Sequence, residues 1–173
     1  MVDQRLIDDA IRGDRSARAE LLRSMQDRWF RFAVSTLGDP EMAAEVVQET
    51  AVRVLEKMHR FDGRSTFSTW SIGVVLNVCR EFRRKRKSLR LDDSPEPAFE
   101  PDEPALDRND AIARLREALS DLPERQREAL VLRFLEEQSV EETAKSMDCA
   151  VGTVKATVHQ ALKALKGKLA NLK

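Results

Sequence analysis

Two cysteines, two histidines and no tyrosine in 173 residues exclude several classes of protein at the outset. Cys79 and Cys149 stand far apart, with no CxxC and no histidine pair beside them. Neither a disulfide framework nor a zinc site is expected; two buried, reduced thiols are. His59 and His159 leave little acid–base machinery, and no HxxEH, P-loop or Ser-His-Asp set occurs. No catalytic residue, cofactor or metal is therefore expected. No apolar run approaches the roughly 20 residues of a membrane span. The N-terminal stretch MVDQRLIDDAIRGD is charged where a secretion signal would be apolar. The expectation is a cytoplasmic protein without membrane insertion. Aromatics make up only 5% of the chain, while Leu, Ala, Glu, Lys and Arg abound, which suits helices better than sheets.

Net charge is also absent, yet the zero conceals segregation. Arg80 to Arg90, REFRRKRKSLR, carries seven basic residues and one acid. Asp92 to Asp110 carries eight acids and one arginine, and four of the six prolines lie between Pro95 and Pro104. Val151 to Lys173 has five lysines and no acid. Basic segments flanking an acidic one point to local attraction for nucleic acid. The acidic, proline-rich stretch has no apolar periodicity and cannot bury a core. The fold class expected is all-α: two small helical domains, residues 1–89 and 108–173, joined by a flexible acidic linker at 90–107. The second domain is read as a helix-turn-helix.

Periodicity and capping signals give the elements. A short helix spans about Gln4 to Arg12, and a long one about Ser16 to Leu37. In the sequence GDP, Gly38 ends that helix, Asp39 caps the next and Pro40 suits its first turn. The third helix runs to about Met58, with Ala43, Val46, Val47, Thr50, Val54 and Met58 inward. RFDGRST is a loop, and a fourth helix starts near Phe67, capped by Ser65 or Thr66. Phe67 and Trp70 read as core anchors for the loop, and Asn77 as a polar group that is costly in an apolar run unless bonded. In the second domain a helix covers about Asp110 to Ser120 and another starts with Pro123 in its first turn. Ser139 and Glu142 then form an S-x-x-E capping box. The connection DCAVG leads to a basic helix whose apolar side is Val154, Val158, Ala161, Leu162, Leu165 and Leu169.

Three blocks are then informative together: GDPEMAAEVVQETAVRVLEKMHRFDGRSTFSTW, NVCREFRRKRK, and LPERQREALVLRFLEEQSVEETAKSMDCAVGTVKATVHQALKALKGKL. In order and spacing the chain resembles an extracytoplasmic-function sigma factor of the bacterial sigma-70 family. The resemblance implies a promoter-specificity subunit that binds core RNA polymerase, recognises the −35 element with its second domain and opens the −10 element with its first. Matching family positions residue by residue, Glu41, Glu45, Gln48 and Glu49 would meet polymerase. Arg60, Asp62, Gly63, Arg64, Ser65, Thr66 and Asn77 would act in −10 melting, with Arg80, Arg83 and Arg84 on neighbouring phosphates. Thr153, Lys155, Ala156, Thr157, His159, Gln160 and Lys163 would face the −35 element. An anti-sigma factor or other regulator is a further implied partner.

The final helix, GTVKATVHQALKALKGKL, departs from the family in lacking arginine. Lys155 still supplies charge, Gln160 can read adenine, and Ala156 or Thr157 can meet a thymine methyl. The helix is thus read as a DNA reader with little phosphate clamping. Two alternatives stand beside this: a helix-turn-helix regulator independent of polymerase, and a sigma-like adaptor. The first leaves AAEVVQET and GRSTFSTW without a role.

Overall fold

The computed structural model describes residues 2–90 and 117–170, and within these all regular structure is helical. The acidic linker, and most of the helix expected from Asp110, lie outside the described residues. The first unit comprises α1 (Gln4–Arg12), α2 (Arg15–Leu37), α3 (Pro40–Lys57) and α4 (Phe67–Arg90), with a 3-10 turn at Met58–Arg60. The second has a helical end at 117–120, then α5 (Glu124–Leu130), α6 (Val140–Met147) and α7 (Val151–Ala170).

Local chemistry accounts for the boundaries. Asp14 and Asp39 cap α2 and α3 by accepting from the amides of Ala17 and Met42 at 2.7 and 3.0 Å. Gly38 takes a left-handed φ of 75°, which reverses the chain between α2 and α3 at no Cβ cost, and Pro40 opens α3. Ser139 and Glu142 form the expected reciprocal capping box of α6. Pro123 stands just outside α5 as its cap residue rather than within its first turn. Asp148 adopts a left-handed φ of 51° after α6, tightening the turn, and α7 already starts at Val151. Val151 and Gly152, expected in the connection, therefore belong to the helix.

α2 runs through the centre of the first unit, with Leu21, Met25, Trp29, Phe32 and Ala33 buried against α3 and α4. Inside it, Trp29 Nε1 donates to Ser71 Oγ at 3.0 Å. On α3, Ala43, Val46, Thr50 and Val54 are buried as expected, followed by Met58, while Val47 is half-buried. Cys79 is buried, and loss of water pushes its thiol up to about 12. Cys149, expected to be buried, is half-exposed because it follows the tight turn at Asp148.

The apolar core does not stop at the first unit. Ala129, Val131, Leu132 and Met147 of the second unit join it, so the two units are docked along a shared seam. A smaller cluster of Leu122, Leu130 and Ala161 belongs to the second unit. After α5 the chain widens into a π-helical turn at Val131–Leu135, where the Glu136 amide reaches the Val131 carbonyl at 3.0 Å. The extra residue turns Phe134 and Leu135 outward and Glu136 inward.

Candidate nucleic-acid interface

The loop between α3 and α4 is built on three aromatic rings. Phe61, Phe67 and Trp70 meet pairwise at centroid distances of 5.4–5.6 Å, Phe67 buried and Trp70 half-buried. Both are committed to this cluster, as their role of core anchors requires. The rings fix the two ends of a polar crown. Thr66 Oγ1 caps α4 by accepting from the Thr69 amide at 3.1 Å, which selects Thr66 over Ser65. Asp62 accepts from the Arg64 amide at 3.1 Å across Gly63, whose φ of 71° a side chain would strain. Arg60, Asp62, Gly63, Arg64 and Thr66 are exposed and Ser65 half-buried. Such a crown offers hydrogen-bonding edges to an unstacked base, while the three rings pack on one another.

Asn77 is exposed, which corrects the expectation that burial would force it to bond. It sits on the solvent side of α4, three and seven residues before Arg80 and Arg84, so helical spacing puts the three side chains on one face. Arg84 is exposed, whereas Arg80 and Arg83 are half-buried and engaged. Arg80 donates from Nε and Nη2 to the two oxygens of Glu128 at 3.2 and 2.8 Å, and Arg83 Nη2 donates to the same carboxylate. Glu128 belongs to α5, and its side chain is 1% exposed. Two further contacts join the units: Arg28 Nε donates to Glu136 Oε2 at 2.6 Å, and Arg127 Nη1 donates to the Thr36 carbonyl at 3.0 Å. Desolvation pushes the Glu136 carboxyl up against the pull of Arg28. Burial, reinforced by Arg83, holds the Arg127 guanidinium below its usual range. None of these pairings was anticipated from the sequence. The one available signal was that Glu128 stands four residues before Leu132, on the apolar side of its helix.

On α3, Glu41, Glu45 and Gln48 are exposed and Glu49 is half-buried. Glu49 accepts from Arg53 Nε at 2.7 Å, and Arg53 Nη1 and Nη2 clamp Glu81 of α4, each at 2.7 Å. The hydrogen bonds from Arg53 pull the Glu81 carboxyl below its ordinary value.

Polar bonds tie α6 to α5 and α7 to the turn that precedes α5. Arg125 Nη1 donates to the Met147 carbonyl at 3.1 Å, and Lys168 Nζ to Asp121 Oδ2 at 2.7 Å. Val154 and Ala161 of α7 are buried, and Val158 and Leu165 are half-buried. Leu162, expected inward, is 44% exposed: it lies one step round the helix from Ala161, which takes the buried position. Leu169 lies outside the residues whose side chains are described. Thr153, Lys155, Ala156, His159, Gln160 and Lys163 are exposed and Thr157 is half-buried. The second helix of the pair thus presents an open, lysine-bearing face, the arrangement a helix-turn-helix uses in a major groove.

Comparison with known proteins agrees with this architecture. Residues 21–89 match the family model for Sigma-70 region 2, and residues 112–165 that for Sigma-70, region 4. The ECF RNA polymerase sigma factor EcfG of Rhodopseudomonas palustris is 31% identical over 162 residues, spanning 93% of this chain and 86% of that protein. The RNA polymerase sigma-H factor of Pseudomonas aeruginosa is 31% identical over 176 residues, 94% of this chain and 91% of that one. Among solved structures, the sigma factor RpoE of Bartonella quintana, crystallised with the anti-sigma factor NepR, superposes with a TM-score of 0.73 at 27% identity. That match covers 88% of this chain and 96% of that one. Two helical units in this order, one with a basic helix-turn-helix, define a transcription initiation factor. The chain belongs to the sigma-70 family of RNA polymerase sigma factors, in its extracytoplasmic-function branch. A polymerase-independent regulator would leave the region 2 match unaccounted for. No described helix is long and apolar enough to cross a membrane.

Proposed function

We propose that the surfaces described above divide promoter recognition among them, in the cytoplasm, on core RNA polymerase. The domain limits are 1–89 and 108–173, with 90–107 as the tether. The acidic face of α3, Glu41, Glu45, Gln48 and Glu49, docks on a basic polymerase surface. The crown of Arg60, Asp62, Gly63, Arg64, Ser65 and Thr66, with Asn77, receives a base of the opened −10 strand. Arg80, Arg83 and Arg84 neutralise adjacent phosphates. The exposed face of α7, with Thr153, Lys155, Ala156, Thr157, His159, Gln160 and Lys163, enters the −35 groove. The chemistry required is recognition and strand opening, with no covalent step.

The observation that carries this reading is the pairing of a polar crown in the loop before α4 with an exposed basic face on α7 in one chain. Each offers what its target needs: donors and acceptors for a flipped base, cations and small side chains for a duplex groove. The NepR-bound relative supports an anti-sigma factor as a further partner, because the superposition with it spans most of this chain. Reconstitution with core polymerase and transcription across a promoter library tests the reading. Promoter-dependent initiation that fails with Asn77→Ala on duplex DNA, and recovers on a pre-melted bubble, is expected. Equal transcription by core polymerase with and without the chain on every promoter would overturn it.

A further inference from the structure

We propose that Glu128 is an internal substitute for DNA phosphate, and that the docked seam is an autoinhibitory latch over Arg80 and Arg83. The inference rests on the reading of those arginines as DNA contacts. A guanidinium fork binds a carboxylate and a phosphate through the same planar donors, so the donors that Glu128 holds are not offered to DNA. Here both arginines converge on one carboxylate from the other unit. The Glu128 side chain is 1% exposed and those of Arg83 and Arg80 are 14% and 23% exposed, so docking covers most of the surface through which the two arginines would meet DNA.

The seam is also built to part. Arg83 Nε and Nη1 and Arg127 Nε are buried without a hydrogen-bond partner among the described residues. Glu124 lies 3.7 Å from Arg83 Nε, close enough for attraction but beyond a hydrogen bond. Permanent cores leave few such groups unsatisfied, because each one costs free energy. Moving Arg83 from this pocket to a solvated phosphate would satisfy donors that the closed form leaves idle. The closed chain is therefore held in a bound-like charge state with its own acid, and any surface that grips the two units apart frees two cations at once.

The test uses the full chain without polymerase and a short duplex DNA as probe. Glu128→Gln removes the charge at nearly constant volume. Arg28→Ala is a second variant that weakens the seam at Glu136 and leaves Arg80 and Arg83 intact. Small-angle scattering should show both variants expanded relative to the parent chain. Both should bind the duplex about tenfold more tightly, with a salt slope steeper by up to about 1.8, since each phosphate contact adds about 0.9. Adding Arg80→Ala and Arg83→Ala to Glu128→Gln should cancel the gain. Variants that stay compact, or that open with no change in affinity or slope, overturn the latch. The underlying reading fails separately: if the chain carrying Arg80→Ala and Arg83→Ala still opens a duplex promoter with polymerase at the parent level, those arginines are not DNA contacts, whatever the scattering shows.

Discussion

Arg53 clamps Glu81 with both terminal nitrogens and holds Glu49 with its Nε, so one guanidinium ties α3 to α4 and orients an acid on the surface assigned to polymerase. Arg53→Ala should lower stability by about 1 kcal/mol, the scale of a partly exposed ion-pair network, or about 2–4 °C in Tm. Arg53→Lys should not restore it, because a lysine cannot span both oxygens. Thermal melts of the three chains check this. Core-polymerase affinity should fall with Arg53→Ala beyond what the melt explains.

Acid should act on the first unit through the same residues. The Glu81 carboxyl lies below its ordinary value of 4.5, chiefly because Arg53 donates to it. Burial pushes the Asp39 carboxyl up, but the Met42 amide and Arg86 outweigh it and the net is downward. A carboxyl lowered in the folded state adds stability that is complete above its ordinary value and lost as pH falls through the lowered one. Denaturation midpoints should thus hold steady from neutrality and fall below about pH 4.5. Glu81→Gln should flatten part of that fall. Glu136 acts in the opposite sense: its raised carboxyl opposes docking at neutral pH, and that opposition fades as pH drops through the raised value.

Ser71→Ala should cost about 1–3 kcal/mol, because it strands the buried Trp29 indole N–H that now donates to Ser71. Chemical denaturation with tryptophan fluorescence reads both the loss and the altered environment. Wild-type stability in the variant would mean that the bond contributes nothing.

Thiol reagents should separate the cysteines. Half-exposed Cys149 should react in the native chain, and Cys79, buried with its thiol pushed up to about 12, only on unfolding. Mass spectrometry of partly labelled protein gives the order directly.

The arginine-poor helix should bind DNA with a shallow salt dependence. Gln160 is exposed and Thr157 half-buried, so the position at which to restore a cation is Gln160. Gln160→Arg should steepen the slope by about 0.9, and Lys155→Ala should reduce it by a similar amount. Titrations with the −35 duplex at several salt concentrations measure both.

The features legible in the sequence were those set by neighbours along the chain. Gly38, Asp39 and Pro40 announced a helix reversal, and Ser139 with Glu142 announced a cap, because each obeys rules that span at most four residues. The stripe on α3 was readable for the same reason. Glu128 was not: its partners Arg80 and Arg83 lie 48 and 45 residues away, and Arg28 lies 108 from Glu136. Nothing local distinguishes those arginines from the exposed Arg84. Leu162 was misplaced because helical spacing leaves a choice between adjacent positions at the edge of a stripe, and packing gave the inner one to Ala161. Asn77 was read as costly in an apolar run unless bonded, although it is exposed on α4.

The continuity of the core across the seam has a consequence for handling the protein. Ala129, Val131, Leu132 and Met147 are covered by the first unit. A chain cut between the units, or held open by mutation, would display them to water as a contiguous greasy strip. Solubility would then track the fraction of open molecules, and yield would improve when another protein surface is co-expressed to cover the strip. A fragment containing only the helix-turn-helix would need polar replacements at these positions before its behaviour could stand for that of the intact chain.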